Sequence, residues 1–157
     1  MITRIHRGLL RVYRHLPRWA RRRVVRTIAP SFTVGAICAI EHEGRLLLLR
    51  QSYRARWGLP GGLLQRGEPA TSAAVREVRE EVGLDIELVG EPTVVVDAEP
   101  RRVDVIFRAA PAAGSDPDGV RPSSPEVVEV CWFPFDDLPE LQFESAHALK
   151  TLDRATR

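Results

Sequence analysis

The segment from Gly62 to Leu84, GLLQRGEPATSAAVREVREEVGL, leaves this chain the fewest choices of fold. Pro69 suits a first helical turn, where its missing N–H has no intrahelical partner to lose. Ala70, Ala73, Ala74, Val75, Val78 and Val82 supply apolar spacings of three and four, which predicts a helix over 69–82. Gly83 is placed to end it, because glycine tolerates the left-handed conformation common at helix ends. Pro60-Gly61-Gly62, just before, predicts a tight turn where backbone can approach a ligand.

On such a helix Glu77 and Glu81 lie one turn apart on the same face, with Glu80 beside them. Three carboxylates this close repel one another unless a cation sits among them. Hard divalent cations take oxygen ligands, and Mg²⁺ is commonly held by a few carboxylates together with substrate phosphates. The bland alternative is a solvated acidic face salt-bridged by Arg76 and Arg79, the usual fate of a bare charge run. The spacing of the whole segment weighs against it. Gly62, five residues, Glu68, seven residues and then Arg76-Glu77-Val78-Arg79-Glu80-Glu81-Val82-Gly83-Leu84 arise by chance on the order of once in a billion starting positions.

The segment resembles the Nudix box and matches it at every specified position. The resemblance covers the chain from Phe32 onward and implies hydrolysis of diphosphate links in nucleotide derivatives with a divalent metal. It implies an α+β fold, an α/β/α sandwich in which a mixed sheet carries the box as a loop–helix–loop. Carried over residue by residue, Glu77 and Glu81 are implied metal ligands and Glu80 a ligand or close support. A backbone carbonyl of Gly61 or Gly62 completes the shell. Mg²⁺ is the implied ion, with Mn²⁺ as a substitute. Arg76 and Glu68 form an implied orienting pair, since a guanidinium fork holds a carboxylate in fixed geometry. The family often adds a glutamate on a loop before a late strand. Glu126 and Glu129 are the candidates, and Glu126 is favoured because it opens the strand. Glu77, Glu80 or Glu126 is then the base that takes a proton from the attacking water.

For substrate recognition, Arg50, Tyr53, Arg54, Arg56 and Trp57 lie just before the glycine turn, and Arg101, Arg102 and Asp104 lie on a later strand. Arg50, Arg54, Trp57 and Arg102 are the substrate-binding candidates, arginine for phosphate and the aromatic for a base. Trp57 has an equal claim as a core anchor. Pro100 lies sixteen residues after Leu84, near a spacing seen in ADP-ribose-type members of the family. ADP-ribose or a nucleotide sugar is therefore the expected substrate. A nucleoside triphosphate pyrophosphohydrolase and a non-catalytic nucleotide sensor are the rivals, though a sensor typically loses box carboxylates. A prenyl diphosphate isomerase would need a positioned cysteine, and Cys38 sits far upstream in an expected interior strand.

Hydrophobic content of 44% and charged content of 28% are ordinary for one globular domain of this length. The net charge of +2 hides an asymmetry. Residues 1–30 carry nine arginines and no acid, while the remainder carries fourteen basic and twenty-one acidic residues, or −7. The chain is thus read as a basic arm, 1–30, and a mildly acidic hydrolase domain, 31–157. In the arm Ile2, Ile5, Leu9, Val12 and Leu16 form one helical stripe, Pro17 breaks it, and a second helix is expected from Arg18 to Ile28. The stripe is expected to pack on protein, either this domain or a second subunit in a homodimer. An anionic membrane surface is the next reading. Nucleic acid is not expected as a partner, because no recognised nucleic-acid motif accompanies the arginines. Two distant cysteines, no long apolar run and no apolar signal-peptide core point to a cytoplasmic protein.

Expected strands are 32–40, 45–50, 86–89, 93–96, 103–109 and 127–133, with a loop over 110–125 and a last helix over 140–155.

Overall fold

The computed structural model describes residues 14–28 and 31–155. The stripe residues Ile2, Ile5, Leu9 and Val12 lie outside them. Contacts divide the chain into two units, Met1–Phe32 and Thr33–Arg157. The first carries helix α1, Arg18–Ile28, which begins directly after Pro17. Among the described residues no helix is long and apolar enough to cross a membrane.

The second unit is built on two apolar strands. Strand β1, Thr33–His42, turns at Glu43-Gly44 into β2, Arg45–Gln51. Both turn residues have positive φ, 48° and 71°, as a two-residue hairpin requires. The strands are apolar on both faces because both faces are covered. Ala36, Cys38, Ile40, Leu47 and Leu49 enter one core with Ala73, Ala74, Val78 and Val82 of helix α2, Ala70–Val82. Ile37, Ala39, Leu46 and Leu48 enter the other with Ala148 and Leu152 of helix α3, Phe143–Ala155. Each fully buried leucine stabilises the fold by roughly 2 kcal/mol. This is the expected α/β/α sandwich.

Among the described residues six strands make one mixed sheet. Its order is β4 (Ile86–Asp97), β5 (Arg102–Pro111), β1, β2 and β6 (Val127–Pro134), with β3 (Gly61–Leu63) also on β1. β1 pairs in parallel with β5 over its length but meets β2 only near the hairpin, at Glu41↔Leu46 and His42↔Arg45. Beyond the hairpin the two strands part, and residues 58–63 fill the gap. Gly58 exchanges both backbone hydrogen bonds with Leu49, and Gly61–Leu63 pair with Gly35–Ile37. The expected glycine turn is thus a short strand wedged between β1 and β2. Likewise, the expected strands 86–89 and 93–96 are one strand, interrupted by a register shift between Val89 and Thr93 and by Gly90 at φ 70°. The expected loop 110–125 contains a 3₁₀ turn at Pro117–Gly119.

Candidate active site

The wedge brings the glycines under the helix. Pro69 stands at the N-cap of α2, and Gly83 ends the helix at φ 71°, its N–H donating to the Arg79 carbonyl. The Gly61 N–H donates to Glu81 Oε2 at 2.9 Å. A side chain on Gly62 would overlap the Glu77 carboxylate, so the absence of a Cβ there is what lets Glu77 lie against the strand.

Glu77, Glu81, Gly61 and Gly62 line one cavity of about 430 Å³. Glu126, Arg54 and Arg102 reach it from three other segments. Glu81 is only 8% exposed. Burial, and then the charges of Glu77 and Glu126, push its carboxyl up to about 7, against the pull of the Gly61 N–H and the Gln51 side chain. Burial is the main cause, and the two neighbouring carboxylates add to it.

Arg76 binds the remaining box carboxylates. Its Nε and Nη2 donate to the two oxygens of Glu68 at 2.8 and 3.0 Å, and its Nη1 donates to Glu77 at 2.8 Å and Glu80 at 3.0 Å. The guanidinium and the Gln65 N–H hold the Glu68 carboxyl down at about 2. Glu80 has a side chain 57% exposed and does not line the cavity.

Glu126 is delivered by the loop before β6. The N–H groups of Arg121 and Ser123 donate to the carbonyls of Val82 and Glu81, which occupies the open end of α2. The Glu126 carbonyl then accepts from Ser52 N–H at 2.8 Å, and its carboxylate accepts from the Tyr53 hydroxyl at 3.3 Å. Glu129 pairs with Arg50 at 2.6 Å, directly across β6 and β2, and neither lines the cavity. Trp57 does not line it either. It packs edge-on against Phe133, centroids 4.9 Å apart, in the core under α3. Arg50 and Trp57 thus stand apart from the site expected of them, one because a cross-strand carboxylate takes it, the other because the core does. Cys38 is buried, with its thiol pushed up to about 12 by burial, and it too is absent from the cavity.

A profile of the NUDIX domain family matches residues 30–153. The chain belongs to the Nudix family. A MutT-like protein of Streptomyces ambofaciens is 35% identical over 115 residues, spanning 73% of this chain and 70% of that one. The solved MutT Nudix hydrolase of Burkholderia pseudomallei superposes with a TM-score of 0.65 at 30% identity, covering 78% of this chain and 99% of that one. An ADP-ribose pyrophosphatase from Streptococcus suis superposes with a TM-score of 0.64 at 28% identity, covering 81% and 93%. The chain is a Nudix hydrolase, an enzyme of phosphoric anhydrides, and Nudix hydrolases generally use divalent metal ions.

The donor set suits such an ion: the carboxylates of Glu77, Glu81 and Glu126 line one cavity together with Gly61 and Gly62. Among the described residues no three acidic, histidine or cysteine side chains are arranged to hold one as they stand. Glu77 is turned to Arg76 and Glu81 to the Gly61 N–H. Both carboxylates line the cavity.

Sequence reading misses Gln51, Gln142, Glu144 and Ser145 on the cavity wall. The last three come with the start of α3, which is pinned to the wedge by Leu59 N–H donating to Ser145 Oγ at 2.9 Å and Gln142 N–H to the Trp57 carbonyl at 2.7 Å. No local signal in the sequence marks them, because these contacts with the wedge alone bring them to the cavity.

Proposed function

We propose that this Nudix hydrolase cleaves the diphosphate link of ADP-ribose or a nucleotide sugar, with Mg²⁺ as the ion and Mn²⁺ as a substitute. One observation carries the reading: a single cavity gathers Glu77, Glu81 and Glu126 with Gly61 and Gly62 and, among the described residues, offers two cations, Arg54 and Arg102. Arg54 already lies 3.6 Å from Glu144. A substrate with its charge confined to an internal diphosphate suits this supply of cations better than a triphosphate tail. The likeness to the Streptococcus suis ADP-ribose pyrophosphatase supports the same choice.

Glu77, Glu81 and a glycine carbonyl would hold the ion, with Glu80 in support. When bound it neutralises the diphosphate and makes water more acidic. Arg76, braced by Glu68, fixes the direction of Glu77. Glu126, exposed and accepting a hydrogen bond from the Tyr53 hydroxyl, takes the proton of the attacking water. The water oxygen bonds to one phosphorus, the bridging P–O bond breaks, and two phosphomonoesters leave.

The two free thiols fit a reducing cytoplasm. A homodimer is part of this reading, supported by the edge strand β4, where Val89, Val94 and Val96 stand exposed. Its mass in solution tests that.

The substrate is tested with ADP-ribose, nucleotide sugars, nucleoside triphosphates and dinucleoside polyphosphates in Mg²⁺, products read by chromatography. AMP from ADP-ribose is the expected result. Turnover of triphosphates alone, to monophosphate and pyrophosphate, overturns the choice of substrate.

A further inference from the structure

Arg102 is locked from behind. Its Nε–H is shared between both oxygens of Asp104, two residues along the same face of β5, at 2.8 and 2.9 Å. Asp104 is 5% exposed, in a sheet interior where an ionised carboxylate is costly without a partner. Asp97, the register partner of Arg102 on β4, makes no ion pair with it. Among the described residues, neither terminal NH₂ group of Arg102 has a hydrogen-bond partner, although the side chain lines the cavity.

The space for this arrangement comes from Gly35, which pairs with Asp104 across β1 and β5. No positive φ demands glycine there. What demands it is room. A Cβ at Gly35 would stand 2.6 Å from Asp104 Oδ1, 3.0 Å from Arg102 Nη2 and 3.4 Å from the Gly62 carbonyl oxygen. One missing methyl group thus borders the carboxylate, the guanidinium and the glycine strand beside the box carboxylates.

We infer that Asp104 and Gly35 are positioning residues that commit the two free NH₂ groups of Arg102 to the diphosphate of the substrate. Occupying Nε with a buried carboxylate fixes the plane of the fork and leaves its terminal donors for a planar pair of phosphoryl oxygens, a fit that lysine cannot reproduce. The inference rests on the diphosphatase reading of the site and deepens it by naming what holds the diphosphate on the side of the cavity away from the box helix.

The test uses the full chain with Mg²⁺ and the variants Arg102→Lys, Asp104→Asn and Gly35→Ala. Steady-state kinetics with ADP-ribose give KM and kcat, and calorimetry with α,β-methylene-ADP, a diphosphate that cannot be hydrolysed, gives Kd. Binding made equally in ground and transition states moves KM and not kcat. All three variants are therefore expected to raise KM and Kd together by about tenfold, with kcat little changed. Unaltered KM and Kd in an Arg102→Lys protein that still turns over ADP-ribose overturn the inference and leave the diphosphatase reading standing. So does a lower melting temperature with no change in KM in the other two. A wild-type protein that neither binds α,β-methylene-ADP nor hydrolyses any diphosphate overturns the reading beneath it.

Discussion

Replacing Glu81 with glutamine should stabilise the metal-free protein at pH 8 and do so progressively less as the pH falls. Glu81 has an ordinary carboxyl value of 4.5 when unfolded and about 7 when folded, raised first by burial and then by Glu77 and Glu126. Its folded-state pKa is raised, so the stability it contributes is fully present below pH 4.5 and is lost as pH climbs through 7. At about 1.4 kcal/mol per pH unit the full swing is about 3 kcal/mol, of which about 2.5 kcal/mol falls between pH 5 and pH 8. Glutamine keeps an oxygen for the Gly61 N–H and does not titrate. Urea unfolding of both proteins in EDTA, followed by circular dichroism at pH 5, 6, 7 and 8, gives the difference directly. The glutamine variant should gain about 2.5 kcal/mol on the wild type across that range. Glu68 does not confuse the result, because its carboxyl is held at about 2 and its contribution is lost only below pH 4.5. A difference that stays constant from pH 5 to pH 8 would refute the claim that burial and its acidic neighbours raise the Glu81 carboxyl.

Three further outcomes follow from the same geometry. Gly62→Ala should fold with a loss under about 1 kcal/mol, because the atoms nearest the new methyl belong to the movable end of Glu77, yet its kcat should fall about a hundredfold as that carboxylate is displaced. Gly61→Ala should fail to accumulate as folded protein, seen by circular dichroism, since its Cβ would run into the Ala36 carbonyl at a φ of 150°. Trp57→Ala should lose about 3 kcal/mol in urea unfolding while KM for the substrate stays put, because Trp57 packs on Phe133 and not in the cavity.

The box helix was legible in the sequence because every signal for it is local: a proline before it, apolar residues at helical spacing and a glycine after it. The Arg76–Glu68 contact was legible for a related reason, since both partners belong to one motif with fixed spacing. Arg50 was misplaced because its partner, Glu129, is set by the register of β2 against β6, and register is not written in either strand alone. The wedge at 58–63 was read as a turn because its partners, Leu49 and Gly35–Ile37, lie on two other strands that part to receive it. The two strand candidates at 86–89 and 93–96 looked separate because Gly90 and the register shift after Val89 mimic a break. Glu144 and Ser145 reach the cavity only through contacts of α3 with the wedge, and a helix start gives no hint of what it packs against.

The central claim is that the cavity between the box helix and the glycine wedge is where the diphosphate is cleaved. The rate of AMP release from ADP-ribose, followed as Mg²⁺ is titrated into wild type and Glu81→Gln, tests it most directly. A saturable Mg²⁺ requirement in the wild type and a loss of at least about a hundredfold in the variant are predicted. Turnover in the variant equal to that of the wild type would contradict the claim.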